Sequence, residues 1–136
     1  MELIIQEVME KITSSFNEEL EKLIRERRDI SHFILATKKM LDGVGATLVA
    51  EALETINEVY RNSSNRKQHW TVKEKAVEKT LTTIFGEVRY KRTYYKNKRT
   101  GEYSHLSDKA VGIEAHDKLD ASLKAKLIED AIYMPY

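Results

Sequence analysis

Cationic and aromatic side chains interleave along one stretch of the chain, and together they could bind a phosphate-bearing polymer. The stretch is Thr80–Tyr103, where arginines, lysines and tyrosines alternate in a pattern that predicts two hairpins. Guanidinium and ammonium groups bind phosphate oxygens, whereas tyrosine rings pack on sugars or bases. Such chemistry is typical of a nucleic-acid contact surface, provided that the cations are gathered on one face of the fold.

The basic residues belong to a block whose charge differs from that of both flanks. Residues Arg61–Gly101 contain twelve Lys or Arg and three acidic residues, a net charge of +9. The segment before this block carries −5 and the segment after it carries −3, so the whole chain carries only +1. Protecting a strand edge requires only a few lysines. The excess therefore favours an interaction with a polyanion.

The predicted strand Val88–Tyr95 has no plainly apolar face, which is unusual for a strand that only covers a core. A ribbon that contacts phosphates would explain the pattern, and so would a solvated strand with half-buried tyrosines. We weigh these two interpretations about equally on the residues alone, and the charge excess favours the ribbon. The predicted nucleic-acid contacts are Arg66, Lys67, Arg89, Lys91, Arg92, Tyr94, Tyr95, Lys96, Lys98 and Arg99.

The residue types give little support for a metal site or for a nucleophilic active site. The chain has no cysteine, and its four histidines have no ligand-like spacing. An Mg²⁺ site would need three converging carboxylates, whereas we expect Asp108, Glu114, Asp117 and Asp120 to cap a helix and complement its dipole. We therefore predict no metal, no cofactor and no catalysis by this chain alone.

The N-terminal segment has the period of an amphipathic helix. Apolar side chains recur at steps of three or four residues from Leu3 to Ile24 and form one stripe. The stripe consists of Ile5, Met9, Ile12, Phe16, Leu20 and Leu23. We favour the inward face of a helical hairpin for this stripe, and the alternative is a coiled-coil seam that makes a homodimer through the first helix.

A second helix is predicted to begin at a cap provided by Asp29 or Ser31. Gly43 and Gly45 lie inside it and predict a kink or a break, because glycine is a poor helix former. The polar stretch Asn62–Asn65 is the clearest turn signal in the chain and coincides with the change in the sign of the charge. We expect a subdomain boundary there.

Beyond this boundary the hydrophobic period becomes that of strands. Strands are predicted at Trp70–Val72, Thr80–Ile84 and Val88–Tyr95, with turns at Phe85–Glu87 and Asn97–Gly101. A last helix is predicted from Asp117, and its abrupt end at Met134-Pro135-Tyr136 indicates a truncation. The predicted organisation is a helical subdomain at 1–61, a basic β-meander at 62–116 and a C-terminal helix at 117–136.

These elements predict an α+β protein with an N-terminal helical hairpin or bundle, a central antiparallel meander and a C-terminal helix. One third of the residues are charged, and no apolar run reaches the roughly twenty residues of a membrane span. The first residues lack the positive charge and long apolar run of a secretory signal. We therefore expect a cytoplasmic protein that does not interact with membranes.

The string TLTTIFGEVRYKRTYYKNKRTGEY and the following HLSDKAVGIEAHDKLDASLKAKLIEDA resemble the N-terminal part of ISLre-type bacterial insertion-sequence transposases. Many members of that group are classed as an uncharacterised protein family. The matching positions are Lys79–Gly86, Val88, Tyr90, Arg92, Tyr94, Tyr95, Leu106, Asp108, Gly112 and Ile113. The resemblance extends over the whole chain, including Trp70.

Such transposases bind the ends of their element through an N-terminal region and cut DNA with a separate catalytic domain that holds Mg²⁺. The resemblance therefore implies a fragment that recognises double-stranded DNA at insertion-sequence ends and contains no acidic triad. No catalytic residue is transferred to this chain. The alternative from a different class is a structural or oligomerisation module that acts through the N-terminal amphipathic helices.

Overall fold

The computed structural model describes residues 2–133, with the side chains of Glu2 and Tyr133 left out of the description. It is an α+β fold, as predicted, with a long helical hairpin followed by a small antiparallel sheet. The elements in chain order are α1 (Glu2–Arg25), α2 (Ile30–Arg61), α3 (Ser64–His69), β1 (Trp70–Thr83), β2 (Gly86–Asn97), β3 (Tyr103–Ser104), α4 (Leu106–Ala110) and α5 (Ala121–Tyr133). The predicted truncation signal at 134–136 lies outside the described residues.

Helix α2 is a continuous helix of 32 residues whose start agrees with the sequence. The side chain of Asp29 accepts a hydrogen bond from the backbone N–H of Ser31 and caps the first turn. Of the kink or break predicted at Gly43 and Gly45, the break is wrong, because the helix is continuous through both glycines. A Cβ at Gly45 would lie 2.5 Å from Cδ1 of Phe85, so this glycine allows the β1–β2 turn to approach the helix.

The apolar stripe of α1 does not form the internal core that we favoured. Met9 is 63% exposed and Phe16 is 52% exposed. Helix α2 instead contacts the neighbouring face of α1, where Ile4 and Val8 are half-buried, and the ring of Phe16 meets Phe33 only edge-on. The stripe was misassigned because helical periodicity identifies an apolar face without identifying what covers it.

The sheet has the strand order β1-β2-β3 and forms the predicted antiparallel meander. The two short strands predicted at Trp70–Val72 and Thr80–Ile84 are parts of one strand of 14 residues. Two register shifts interrupt its pairing with β2 between Val72 and Val77. These irregularities obscure the alternating pattern in the sequence.

The hydrophobic core lies between α2 and the β1–β2 hairpin. Leu81, Val88 and Tyr90 are buried there. Partly buried residues packed against them are Ala46, Val49, Ala50, Leu53 and Ile113. The even-numbered face of β2 is therefore a core face up to Tyr90, although the sequence shows no plainly apolar side.

Two predicted boundaries are shifted. Thr83 pairs with Gly86, so the first turn consists of Ile84 and Phe85 rather than Phe85–Glu87. The last helix begins at Ala121 rather than Asp117, because residues 118–120 first dock on the edge of β1. There the N–H of Thr82 donates to the carbonyl of Lys118 over 2.8 Å, and Asp120 returns a bond of 2.9 Å to Thr82.

Candidate nucleic-acid interface

The ten residues predicted to contact nucleic acid divide into exposed and buried groups. The exposed residues are Lys67, Arg89, Lys91, Lys96, Lys98 and Arg99. Arg66 and Tyr94 are half-buried, whereas Arg92 and Tyr95 are buried. Six cations are therefore available to a ligand on the surface, and the other four residues have contacts within the fold.

Arg92 is buried in an ion pair and does not present its charge at the surface. Its guanidinium Nη1 contacts Oδ2 of Asp108, and the hydroxyl of Tyr90 donates to Oδ1 of the same carboxylate over 3.0 Å. Burial, reinforced by the negative charge of Asp108, raises the pKa of the Tyr90 hydroxyl above its ordinary value. Asp108 therefore holds two side chains of β2. It lies in the first turn of α4, and not at the start of the C-terminal helix that the sequence predicted it to cap.

Arg66 and the tyrosines are also committed to the fold. The Nε of Arg66 donates to the carbonyl of Arg61 over 2.9 Å, and its guanidinium lies 5.6 Å from the ring centre of the fully buried Tyr95. The ring of Tyr94 stacks with His105 at 4.6 Å and with Tyr103 at 5.3 Å. These contacts position α3 and β3 against β2, which supports the surface around them.

Four exposed cations, Lys67, Lys96, Lys98 and Arg99, lie on or next to α3 and the β2–β3 turn, and we call them the basic tip. The backbone N–H of Lys98 donates to the carbonyl of His69 over 2.9 Å. The Nζ of Lys98 donates to the carbonyl of Lys67 over 2.7 Å. These two bonds join the turn to α3, so the four cations occupy one end of the sheet.

Local sequence explains the shape of the basic tip. Oδ1 of Asn97 accepts hydrogen bonds from the backbone N–H groups of Arg99 and Thr100, at 2.9 and 3.0 Å. Gly101 closes the turn with a φ of +74°, a conformation that favours glycine. On the other side, the hydroxyl of Ser63 caps α3 by accepting from the N–H of Arg66. Arg99 and Lys98 are therefore both exposed at this turn, with the Nζ of Lys98 also bonded to α3.

A cleft next to the basic tip combines cations, amides and an indole ring. It is lined by Asn65, Gln68, His69, Trp70, Asn97, Lys98 and Arg99. None of these seven side chains is acidic, so phosphate groups would meet no opposing charge within the cleft. Sequence reasoning missed Asn65, Gln68 and His69 because Asn62–Asn65 indicated a loop and gave no sign of helix α3. It missed Trp70 and Asn97 because the search for phosphate contacts selected cations and tyrosines.

The remaining exposed cations of the predicted set, Arg89 and Lys91, form a separate pair in the middle of β2. Both point away from the core residues Val88 and Tyr90, because neighbouring residues of a strand face opposite sides. Nη2 of Arg89 lies 3.7 Å from Oε2 of Glu87, and Lys91 pairs across the ladder with Glu78. Neighbouring carboxylates thus reduce the positive potential at this pair.

The acidic residues and histidines provide no metal centre within residues 2–133. Asp120 caps α5 by accepting from the N–H groups of Ser122 and Leu123, as the sequence predicted. Burial, together with the positive charge of Arg92, lowers the pKa of His105. No helix in the same range is long and apolar enough to cross a membrane.

Comparison with known proteins places the chain in a protein family. A model of the uncharacterised protein family UPF0236 matches residues 35–136. Two relatives from Caldanaerobacter subterraneus subsp. tengcongensis are UPF0236 protein TTE0402, 31% identical over 98% of this chain, and UPF0236 protein TTE2489, 33% identical over 84% of it. The chain spans 28% and 24% of the lengths of these two proteins.

No solved structure matches the chain. The family match covers α2 from Leu35 onward together with the sheet, the basic tip and both C-terminal helices. The relatives are similar over almost the whole of the chain, including α1. On these grounds the chain belongs to UPF0236, an uncharacterised protein family.

Proposed function

We propose that the chain is a DNA-binding N-terminal region of an ISLre-type transposase and recognises the ends of its insertion sequence. The observation that carries the proposal is the basic tip, where four exposed cations lie at one end of the sheet. Two of them, Lys98 and Arg99, line a cleft that has no acidic lining residue. Cations of this kind bind the phosphate backbone and fix the orientation of a protein on the duplex. The bacterial cytoplasm would supply this ligand.

The chemistry of the cleft suits a contact that combines backbone binding with readout of bases. Lys98 and Arg99 would bind phosphates, whereas the amides of Asn65 and Gln68 can form hydrogen bonds with base edges. Arg89 and Lys91 would add weaker backbone contacts, because Glu87 and Glu78 lie beside them. The chain itself would perform no cleavage, which we assign to another part of a longer transposase.

A fluorescence anisotropy titration with a labelled 30-base-pair duplex of mixed sequence tests the DNA-binding part of this proposal at about 50 mM salt. We expect saturable binding that weakens about tenfold or more in the variant Lys98→Gln plus Arg99→Gln. The matched control, Lys11→Gln plus Lys39→Gln, removes the same charge from exposed positions of α1 and α2 and should bind as the wild type does. Absence of binding by the wild type contradicts the proposal.

A second candidate function is assembly through the N-terminal helices. The specific observation in its favour is the exposed apolar stripe of α1, in which Met9 and Phe16 are each more than half exposed. Sedimentation velocity over a range of concentrations should detect association that Ile12→Asp plus Leu20→Asp abolishes. A protein that remains monomeric at high concentration would remove this candidate.

A further inference from the structure

The N-terminal helices present one apolar face that extends over both of them. On α1 it consists of Ile5, Met9, Ile12, Phe16, Leu20 and Ile24, which are between 36% and 70% exposed. On α2 it continues through Ile30, Ile34, Leu41 and Leu48, which are between 39% and 58% exposed. We call these ten residues the hairpin face.

Helix geometry places both halves of the hairpin face on the same side of the molecule. With 3.6 residues per turn, the exposed stripe of α1 is rotated by about a quarter turn from the residues that approach α2, such as Ile4 and Val8. The exposed residues of α2 are rotated by a smaller angle, about a fifth of a turn, in the same sense from Phe33 and Val44 on its inner side. Because the helices run antiparallel, rotations in the same sense bring the two stripes to the same side of the hairpin.

The hairpin face is large enough to support a stable dimer. Ten apolar side chains, each about half exposed, present on the order of 1,000 Å² per copy, whereas a standard interface buries roughly 800 Å² per partner. The largest apolar patch on a typical monomer is roughly 300–600 Å². The side chains that turn α2 toward the sheet, including Val49 and Leu53, lie on another side of that helix, so pairing through the hairpin face leaves the basic tip free.

The arrangement of the hairpin face suits a second copy of the same chain. The exposed stripe of α1 advances by four, three, four, four and four residues, so it has nearly the same spacing when read from either end. An antiparallel copy would place Ile5 opposite Ile24 and Met9 opposite Leu20. Thr13 and Gln6, which border this stripe, are uncharged. Lys38 on α2 already forms an ion pair with Asp42 at 2.6 Å. Association of two copies would therefore bury no unmatched charge.

We propose that two copies of this chain pair through the hairpin face and form an antiparallel four-helix bundle, with α1 of one copy against α1 of the other. This inference rests on the assembly function and adds the partner and its orientation.

Sedimentation equilibrium of the wild type and of Met9→Glu tests the partner. Met9 is 63% exposed in the single chain, so the substitution should leave the helical circular dichroism unchanged. It should raise the dissociation constant about a hundredfold, because a symmetric interface would bury two added carboxylates. The matched control Ser14→Glu, on the opposite side of α1, should dimerise as the wild type does. A dimer that Met9→Glu does not weaken overturns the inference, although assembly through another surface would survive.

Disulfide cross-linking tests the orientation, since the chain contains no native cysteine. Antiparallel α1 helices bring the two copies of position 13 close together and separate the two copies of position 6 by roughly 25 Å. Thr13→Cys should therefore cross-link under mild oxidation, and Gln6→Cys should not. Cross-linking at Gln6 but not at Thr13 overturns the proposed orientation.

A wild type that is monomeric at about 100 µM overturns both the inference and the assembly function. Flotation with phosphatidylcholine vesicles would then assign the hairpin face to membranes.

Discussion

At the scale of single residues, the contact between Arg92 and Asp108 shows that one cation of the basic block has a structural role. The two side chains are 9% and 3% exposed, so neither charge can be solvated if its partner is removed. Because it is buried, Arg92 of the basic block joins β2 to α4. The exposed cations of the block are the ones whose charge is accessible to a ligand.

Replacing Asp108 with alanine should lower the free energy of unfolding by about 3–5 kcal/mol, because Arg92 would remain charged and buried. Urea denaturation followed by circular dichroism measures this loss. Removal of the exposed Asp130, which pairs with Lys126 at 3.8 Å, should change stability by less than about 1 kcal/mol. Adding Arg92→Met to Asp108→Ala should recover part of the lost stability. Equal effects at Asp108 and Asp130 would contradict the structural role.

The histidine beside this pair should make stability depend on pH. Burial lowers the pKa of His105 in the folded chain, whereas the unfolded pKa is about 6.5. Below that pH the unfolded chain binds a proton that the folded chain takes up only at lower pH, so stability falls as pH falls. Urea midpoints at pH 7.0 and 5.5 should therefore differ less in His105→Gln than in the wild type. The exposed His116→Gln should keep the wild-type difference, and an unchanged pH dependence in both variants would contradict this explanation.

At the scale of elements, Gly43 and Gly45 offer a matched test of how α2 meets the hairpin. Gly43→Ala should stabilise the protein by up to about 1 kcal/mol, because the nearest atom to the new Cβ is the flexible Lys11 Nζ at 3.4 Å. Gly45→Ala should destabilise it by about 1–2 kcal/mol, because the Cβ would overlap the ring of Phe85. Thermal or urea unfolding of both variants measures the contrast.

The comparison of Gly43→Ala with Gly45→Ala has an internal control at Phe85. Combining Gly45→Ala with Phe85→Ala removes the overlap, so the added methyl group should then stabilise the helix as it does at position 43. If Gly45→Ala is stabilising when Phe85 is present, the close approach of the turn to α2 is not maintained in solution.

The elements that the sequence predicted well are those whose signals are local. The signals for helix α1, for the Asp29 cap of α2 and for strand β2 each depend on residues within a few positions of one another. Gly45 was misinterpreted because the reason for a glycine there is Phe85, forty residues further along the chain. Helix α3 was missed because its six residues contain no hydrophobic period.

The candidate site was predicted only in part, for a similar reason. Exposed cations such as Lys98 and Arg99 can be recognised by type, whereas the burial of Arg92 depends on Asp108 and that of Tyr95 depends on the fold around it. The amides and the indole of the cleft come from α3 and the first residue of β1. Their proximity to the β2–β3 turn follows from backbone bonds between residues about thirty positions apart.

At the scale of the whole molecule, charge and apolar surface are separated along the chain. The basic tip lies where α3 meets the β2–β3 turn, and the hairpin face lies on α1 and the first half of α2. A pair of chains joined through the hairpin face would carry two basic tips. The two ends of an insertion sequence would provide two equivalent binding sites, so self-association and DNA binding would serve one proposed function.

The salt dependence of DNA binding is the most direct test of the central proposal that the basic tip binds DNA. Affinity for a labelled 30-base-pair duplex should fall linearly on logarithmic axes, with a slope near −3.6 if the four tip cations each contact a phosphate, at about −0.9 per contact. Lys98→Gln plus Arg99→Gln should reduce the slope by about 1.8, whereas Lys11→Gln plus Lys39→Gln should leave it unchanged. A slope that is the same in the wild type and both variants would contradict binding through the basic tip.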